Sequence, residues 1–119
     1  MKVLIVDDSL PMLKMIRRTI AAFADEICEC GDGGEAVLLY SRELPDWVLM
    51  DIELGAINGI AATRQIISNF PQAKVVMVTN YNDRQMREAA AEAGACGYVL
   101  KENLLELRGR LEAIQKQEG

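Results

Sequence analysis

The sequence predicts an α/β fold, a doubly wound five-stranded parallel sheet with five helices. Three observations predict it. Short apolar runs recur at residues 3–6, 27–30, 47–50, 75–78 and 98–100, most of them unbroken by polar residues, as strands buried on both faces require. Each run is followed by a segment of helical character, and that alternation closes as a parallel sheet with right-handed crossovers. Finally, Asp7 and Asp8 directly follow the first run and Asp51 directly follows the third. In open parallel sheets ligands collect outside the carboxyl ends of the strands, so the three acids are expected to share one edge.

Each helix has its own signals. Ser9 is placed to cap the first, Pro11 is tolerated in its opening turn, and Met12, Ile16, Ile20 and Phe23 form an apolar stripe. Residues 31–34, which include three glycines, make the turn into a second helix over 35–42, and Pro45 separates it from the third strand. Asn58 and Gly59 start a third helix whose Ile60, Ile66, Ile67 and Phe70 face the sheet, and Pro71 ends it. Asn82 or Asp83 caps a fourth over 84–93; it is rich in alanine, carries few large anchors and is expected to dock loosely, with Gly94 at its end. The last helix is expected over 103–115, with Leu104, Leu107, Leu111 and Ile114 at helical spacing.

Composition narrows the chemistry. The 119 residues suit a single domain, 1–119, and half are apolar, as in an ordinary globular chain. A net charge of -5 with scattered Lys and Arg argues against a nucleic-acid surface. No apolar stretch approaches the ~18 residues of a membrane span and no signal peptide is recognisable, so a cytoplasmic protein without membrane contact is expected. The three cysteines, Cys28, Cys30 and Cys96, lack metal or redox spacing and read as small buried hydrophobes. Histidine is absent, which removes the commonest general base and every Ser-His or Cys-His pair. Chemistry must therefore use carboxylates, hydroxyls or lysine, and clustered acids that repel one another point to a hard-cation site with a carboxylate poised to react.

Val6-Asp7-Asp8 after the first strand, Met50-Asp51 after the third, Gly59 eight positions on, Val78-Thr79 after the fourth and Gly97-Tyr98-Val99-Leu100-Lys101 after the fifth together resemble a response-regulator receiver domain of two-component signalling, the family of the chemotaxis response regulator. The resemblance covers essentially the whole chain and implies a flavodoxin-like strand order of 2-1-3-4-5. It implies Asp51 as phosphoryl acceptor, Mg2+ held directly by Asp8 and Asp51 and largely through water by Asp7, a Glu53 backbone carbonyl as a further ligand, and Lys101 supplying positive charge. Thr79 would answer the phosphoryl group and Tyr98 turn inward. A histidine kinase or histidine phosphotransfer domain would be the donor, and the face over residues 84–115 would meet a downstream protein or output domain. The implied activity is phosphoryl acceptance with slow autodephosphorylation, not metabolism.

Taken singly, each residue has a plain structural role open to it: Asp7 or Asp8 a cap, Asp51 a strand end, Thr79 a backbone-bonded hydroxyl, Lys101 a solvated charge, Tyr98 core filler. Other functions stay open too: the receiver portion of a longer DNA-binding regulator, a receiver that works without phosphorylation, or a flavodoxin-like module. The last lacks a phosphate cradle, because acids stand where donors are needed. A haloacid-dehalogenase-like phosphatase would want aspartate where Glu53 stands. Three departures from the common receiver pattern are Gly55, expected to loosen loop 53–58, Glu102 where a cis proline often follows the lysine, and Asn80-Tyr81 beside Thr79.

Overall fold

The structure is a computed structural model and describes residues 1–118. The apolar runs are strands β1 (Lys2–Val6), β2 (Glu26–Cys30), β3 (Trp47–Met50), β4 (Val75–Thr79) and β5 (Gly97–Leu100). Between and after them run α1 (Leu10–Ile20), α2 (Gly33–Glu43), α3 (Gly59–Asn69), α4 (Arg84–Glu92) and α5 (Leu107–Glu118). All strands pair in parallel, in the order β2-β1-β3-β4-β5, as expected. The order reverses between β1 and β3, and a crevice opens at such a switch point.

Because strand side chains alternate, the sheet builds two cores. Leu4, Val6, Val48, Met50, Val75 and Met77 point to one face, where Ala36, Tyr40, Ala62, Ile66 and Ala90 of α2, α3 and α4 cover them. Val3, Ile5, Trp47, Leu49, Val76 and Val78 point to the other, under Leu13, Ile16, Ile20, Leu107 and Leu111 of α1 and α5. The anchors are unequal. Within α4 only Ala90 is fully buried, whereas α1 buries Leu13, Ile16 and Ile20. A buried methyl group contributes about 0.8 kcal/mol and a buried Leu or Ile about 1.5–3 kcal/mol, so α4 is the weakly held helix, as its alanine content suggests.

The caps follow the sequence. Ser9 Oγ accepts from Met12 N at 3.3 Å and Asn58 Oδ1 from Ala61 N at 2.8 Å. Of the two candidates before α4, Asp83 is the cap, accepting from Met86 N at 3.2 Å, while Asn82 Oδ1 accepts from the Arg87 guanidinium. Asp32 caps α2, which therefore starts at Gly33, two residues earlier than read from sequence. Leu13 joins the buried stripe of α1, Met12 packs half-buried against the same core, and Phe23 packs from beyond the helix end.

Two expectations need correction. The last α-helix begins at Leu107, not Asn103: the chain leaves β5 through a 3-10 turn, Lys101–Glu106, in which Asn103 has φ -113° and ψ 33°. Leu104 and Leu107 are both buried, and a helix with three residues per turn stacks that spacing on one line. Cys96 is exposed in the turn before β5, whereas Cys30 is buried and Cys28 half-buried. Burial pushes the Cys30 thiol up to about 12, leaving it protonated and inert. Among the described residues every peptide bond is trans, Lys101–Glu102 included.

Gly109 sits exposed within α5, and a Cβ there would have nothing within 4 Å. Gly109→Ala is therefore expected to stabilise the fold by about 0.5–1 kcal/mol, seen as a higher urea midpoint with unchanged slope. A lower midpoint would show that this glycine serves something other than helix geometry.

Candidate functional site

Strand register assembles the site. Val6 pairs with Met50 and Met50 with Met77, so one residue further Asp7 and Asp51 lie side by side at the carboxyl edge. Backbone bonds hold both there: Asp7 N donates to Cys30 O at 3.1 Å and Asp51 N to Val6 O at 2.9 Å. Thr79 ends β4 opposite Leu100, and Lys101 follows directly. Asp7, Asp8 and Asp51 each offer a carboxylate oxygen, all within 4.8 Å of one another. Asp7, Asp51 and Thr79 are buried; Asp8 is exposed.

Lys101 crosses from β5 to bind this cluster. Its ammonium lies 3.0 Å from Asp51 Oδ2 and 2.9 Å from Asp7 Oδ2. The Asp51 contact is an aligned hydrogen bond. Asp7 Oδ1 accepts from Ser9 N at 2.9 Å, but Asp7 Oδ2, though close to the ammonium charge, has no aligned hydrogen-bond donor and is fully buried. Three carboxylates against one ammonium leave two negative charges, the balance a divalent cation restores. A buried carboxylate oxygen without an aligned donor and an all-carboxylate donor set fit a hard cation such as Mg2+, which takes oxygen ligands and rarely more than two carboxylates directly.

Electrostatics agree with the geometry. Burial pushes the Asp51 carboxyl up, Lys101 pulls it down, Asp7 adds to the upward push, and the net displacement is upward. Burial pulls the Lys101 ammonium down, but its close contacts with the Asp7 and Asp51 carboxylates outweigh that and hold it above its ordinary value. A carboxyl raised in the fold contributes stability below its ordinary value of 3.8 and loses it as pH rises through the folded value. In chelator, the stability gained by Asp51→Asn should thus grow from acid towards neutral pH, as read by urea unfolding. A gap independent of pH would show that ionised Asp51 costs the fold nothing.

Beside the acids opens a cleft of about 230 Å³ lined by Asp8, Asp51, Glu53, Thr79, Asn80, Tyr81 and Lys101. Glu53 lines it, and its side chain accepts from the Tyr81 hydroxyl at 3.4 Å. Thr79 Oγ1 accepts from Tyr81 N at 3.3 Å, and the Tyr98 hydroxyl donates to Tyr81 O at 2.7 Å. Tyr98 is half-buried against the α4 side of the core. Gly55 faces open space, and Leu54 beside it is buried. Gly59 fits where nothing else does, since a Cβ there would lie 1.8 Å from Asp51 O.

Asp7, Asp8, Asp51, Glu53, Thr79 and Lys101 thus meet at this edge, and Tyr98 joins it through Tyr81. Missed were the backbone of Tyr81 as the hub between Thr79 and Tyr98, and Arg87, whose guanidinium lies 4.6 Å from the Tyr98 ring centroid. No periodicity marks either; Tyr81 is signalled only by lying two residues past a site threonine.

Fold and site define a parallel α/β domain with an aspartate cluster at the carboxyl edge of its sheet. The chain belongs to the response regulator receiver domain family, whose model matches residues 3–112. It is 32% identical over 116 residues to the transcriptional regulatory protein DegU of Brevibacillus brevis, covering 96% of this chain and 48% of that protein. It is 36% identical over 119 residues to protein CcdB of Bacillus subtilis, covering 99% of this chain and 98% of that one. Among solved structures it resembles the CheX-CheY-BeF3-Mg+2 complex of Borrelia burgdorferi, with a TM-score of 0.89, 26% identity, and 95% of this chain and 87% of that chain covered. The chain spans about half the length of DegU and of most of the other curated relatives that it matches. Among the described residues no helix is long and apolar enough to cross a membrane.

Proposed function

We propose that this receiver domain takes a phosphoryl group onto Asp51 from a phosphohistidine of a histidine kinase or histidine phosphotransfer domain. The observation that carries the reading is the meeting of three carboxylates from two strand ends within 4.8 Å, with a part-buried lysine ammonium against two of them. Asp7, Asp8 and Asp51, with the Glu53 backbone carbonyl, would hold Mg2+. The ion supplies charge neutralisation for the incoming phosphoryl oxygens. Lys101 adds a positive charge fixed by Asp7 and Asp51, so it needs little reorganisation when negative charge develops beside it. The complex of the Borrelia relative with BeF3 and Mg+2 favours the same chemistry here.

Acyl phosphate on Asp51 adds one to two negative charges. Thr79 Oγ1 is buried in the same cleft and has a hydroxyl proton to donate. A hydrogen bond to a charged group is worth about 1.5–3 kcal/mol, the size of a typical allosteric coupling, so contacts from Thr79 and Lys101 to the phosphoryl group together suffice to bias a switch. The moving part would be α4, the weakly held helix, and the readout the face formed by α4, β5 and α5, towards a downstream protein or output domain. Net acidity argues that this domain does not itself touch nucleic acid. A neighbouring DNA-binding output domain is the second reading, favoured by the chain spanning only 48% of the transcriptional regulatory protein DegU.

Incubation with acetyl phosphate and Mg2+, read by intact mass, tests the proposal: one phosphoryl group is expected, and none in chelator. Thr79→Ala should keep that gain while uncoupling it from partner affinity. No mass gain in the wild type would sink the reading, and coupling that survives Thr79→Ala would remove the threonine from it.

A further inference from the structure

We infer that Arg87, on the exposed side of α4, is a positioning residue for the acceptor pocket: it fixes the ring of Tyr98 and, through that ring, the segment 79–81. The inference rests on the phosphoryl-acceptor reading above and assigns part of its control to a residue that never touches the acids. The guanidinium lies 4.6 Å from the Tyr98 ring centroid, and its Nη2 donates to Asn82 Oδ1 at 2.9 Å. One side chain thus binds both the loop that enters α4 and the aromatic of β5. From there the path runs through named atoms: Tyr98 hydroxyl to Tyr81 carbonyl at 2.7 Å, then Tyr81 N–H to Thr79 Oγ1 at 3.3 Å.

The ring also has somewhere else to lie. Beside it a cleft of about 230 Å³ is lined by Arg87, Ala90, Ala91, Ala95, Cys96 and Gly97, mostly small residues that leave room for an aromatic. A side chain with two resting places is a two-state element, and a contact made in only one of them shifts the balance by its own free energy. A cation over an aromatic face at an exposed site shifts such a balance by about two- to five-fold. Arginine stays charged at every accessible pH, so the charge is always there to hold the ring, and its head both lies over the ring and reaches Asn82. Arg87 also opposes the upward push that burial gives the Tyr98 phenol, as a charge close to the ring must.

Nuclear magnetic resonance of the whole chain with labelled tyrosine, without ligand and then titrated with beryllofluoride in Mg2+, tests this. In Arg87→Ala the Tyr98 ring should lose its fixed proximity to Tyr81 and average between orientations in the ligand-free protein. Beryllofluoride half-saturation should rise about two- to five-fold, with partial recovery in Arg87→Lys. In a Tyr98→Ala background Arg87→Ala should add nothing. Unchanged ring signals in Arg87→Ala, or the same weakening without Tyr98, overturn the inference, even if the melting temperature falls. Failure of the wild type to bind beryllofluoride counts against the acceptor reading alone, because the ligand-free ring measurement still decides the role of Arg87.

Discussion

Asp51→Asn is expected to abolish phosphorylation: after acetyl phosphate and Mg2+, intact mass should show one phosphoryl group on the wild type and none on the variant. The reaction needs an anionic oxygen that forms a bond to phosphorus while the bond from phosphorus to the donor breaks and its electron pair leaves with the donor. A carboxylate provides that oxygen and a carboxamide does not. The neighbours do not substitute. Asp7 is fully buried with Oδ1 taken by Ser9 N and Oδ2 against Lys101, and Asp8 points from an exposed loop position. The fold should survive, since the exchange is nearly isosteric and removes one of two buried like charges. A variant that still gains the phosphoryl mass, at a site labile to hydroxylamine, would place the acceptor elsewhere.

That test could be framed from sequence because site and fold share one signal, the ends of the apolar runs. Asp7, Asp51, Thr79 and Lys101 each come within a residue of a strand terminus, and parallel pairing brings such termini to one edge whatever the loops do. Contacts that depend on where a helix sits were less legible. Arg87 reads as one more solvated charge until α4 is seen to lie against Tyr98. The start of α5 was misplaced because a leucine every three or four residues satisfies a 3-10 turn and an α-helix equally well, and only the need to bury both Leu104 and Leu107 near Lys101 decides between them. Cys96 was misread because a cysteine beside a strand carries no mark of the side it faces.

Gly59→Ala should cost about 3 kcal/mol or more of stability, a fall of roughly 10 °C in melting temperature for a domain of this size. Helix propensity alone would predict the opposite sign, about 1 kcal/mol in favour of alanine. The helix start, however, lies directly against the backbone of Asp51 and Ile52: Gly59 N donates to Ile52 O at 2.9 Å, and an added Cβ would stand 1.8 Å from Asp51 O, 2.8 Å from Asp51 C and 3.0 Å from Ile52 Cα. These are backbone atoms, so no rotamer change relieves the clash; either α3 or the backbone of Asp51 must move. Helix α3 buries Ala62, Thr63 and Ile66 and cannot shift without opening the core, which is why the penalty exceeds the propensity gain. Movement of Asp51 instead would displace the carboxylate proposed to react, and an error of about 1 Å in such a site can cost 100-fold in rate. Melting temperature and the initial rate of labelling by acetyl phosphate, measured on the same preparation with Gly109→Ala as the control for helix propensity, separate the two responses. A Gly59→Ala protein with wild-type stability and wild-type labelling would mean that the close approach of α3 to Asp51 is absent in solution.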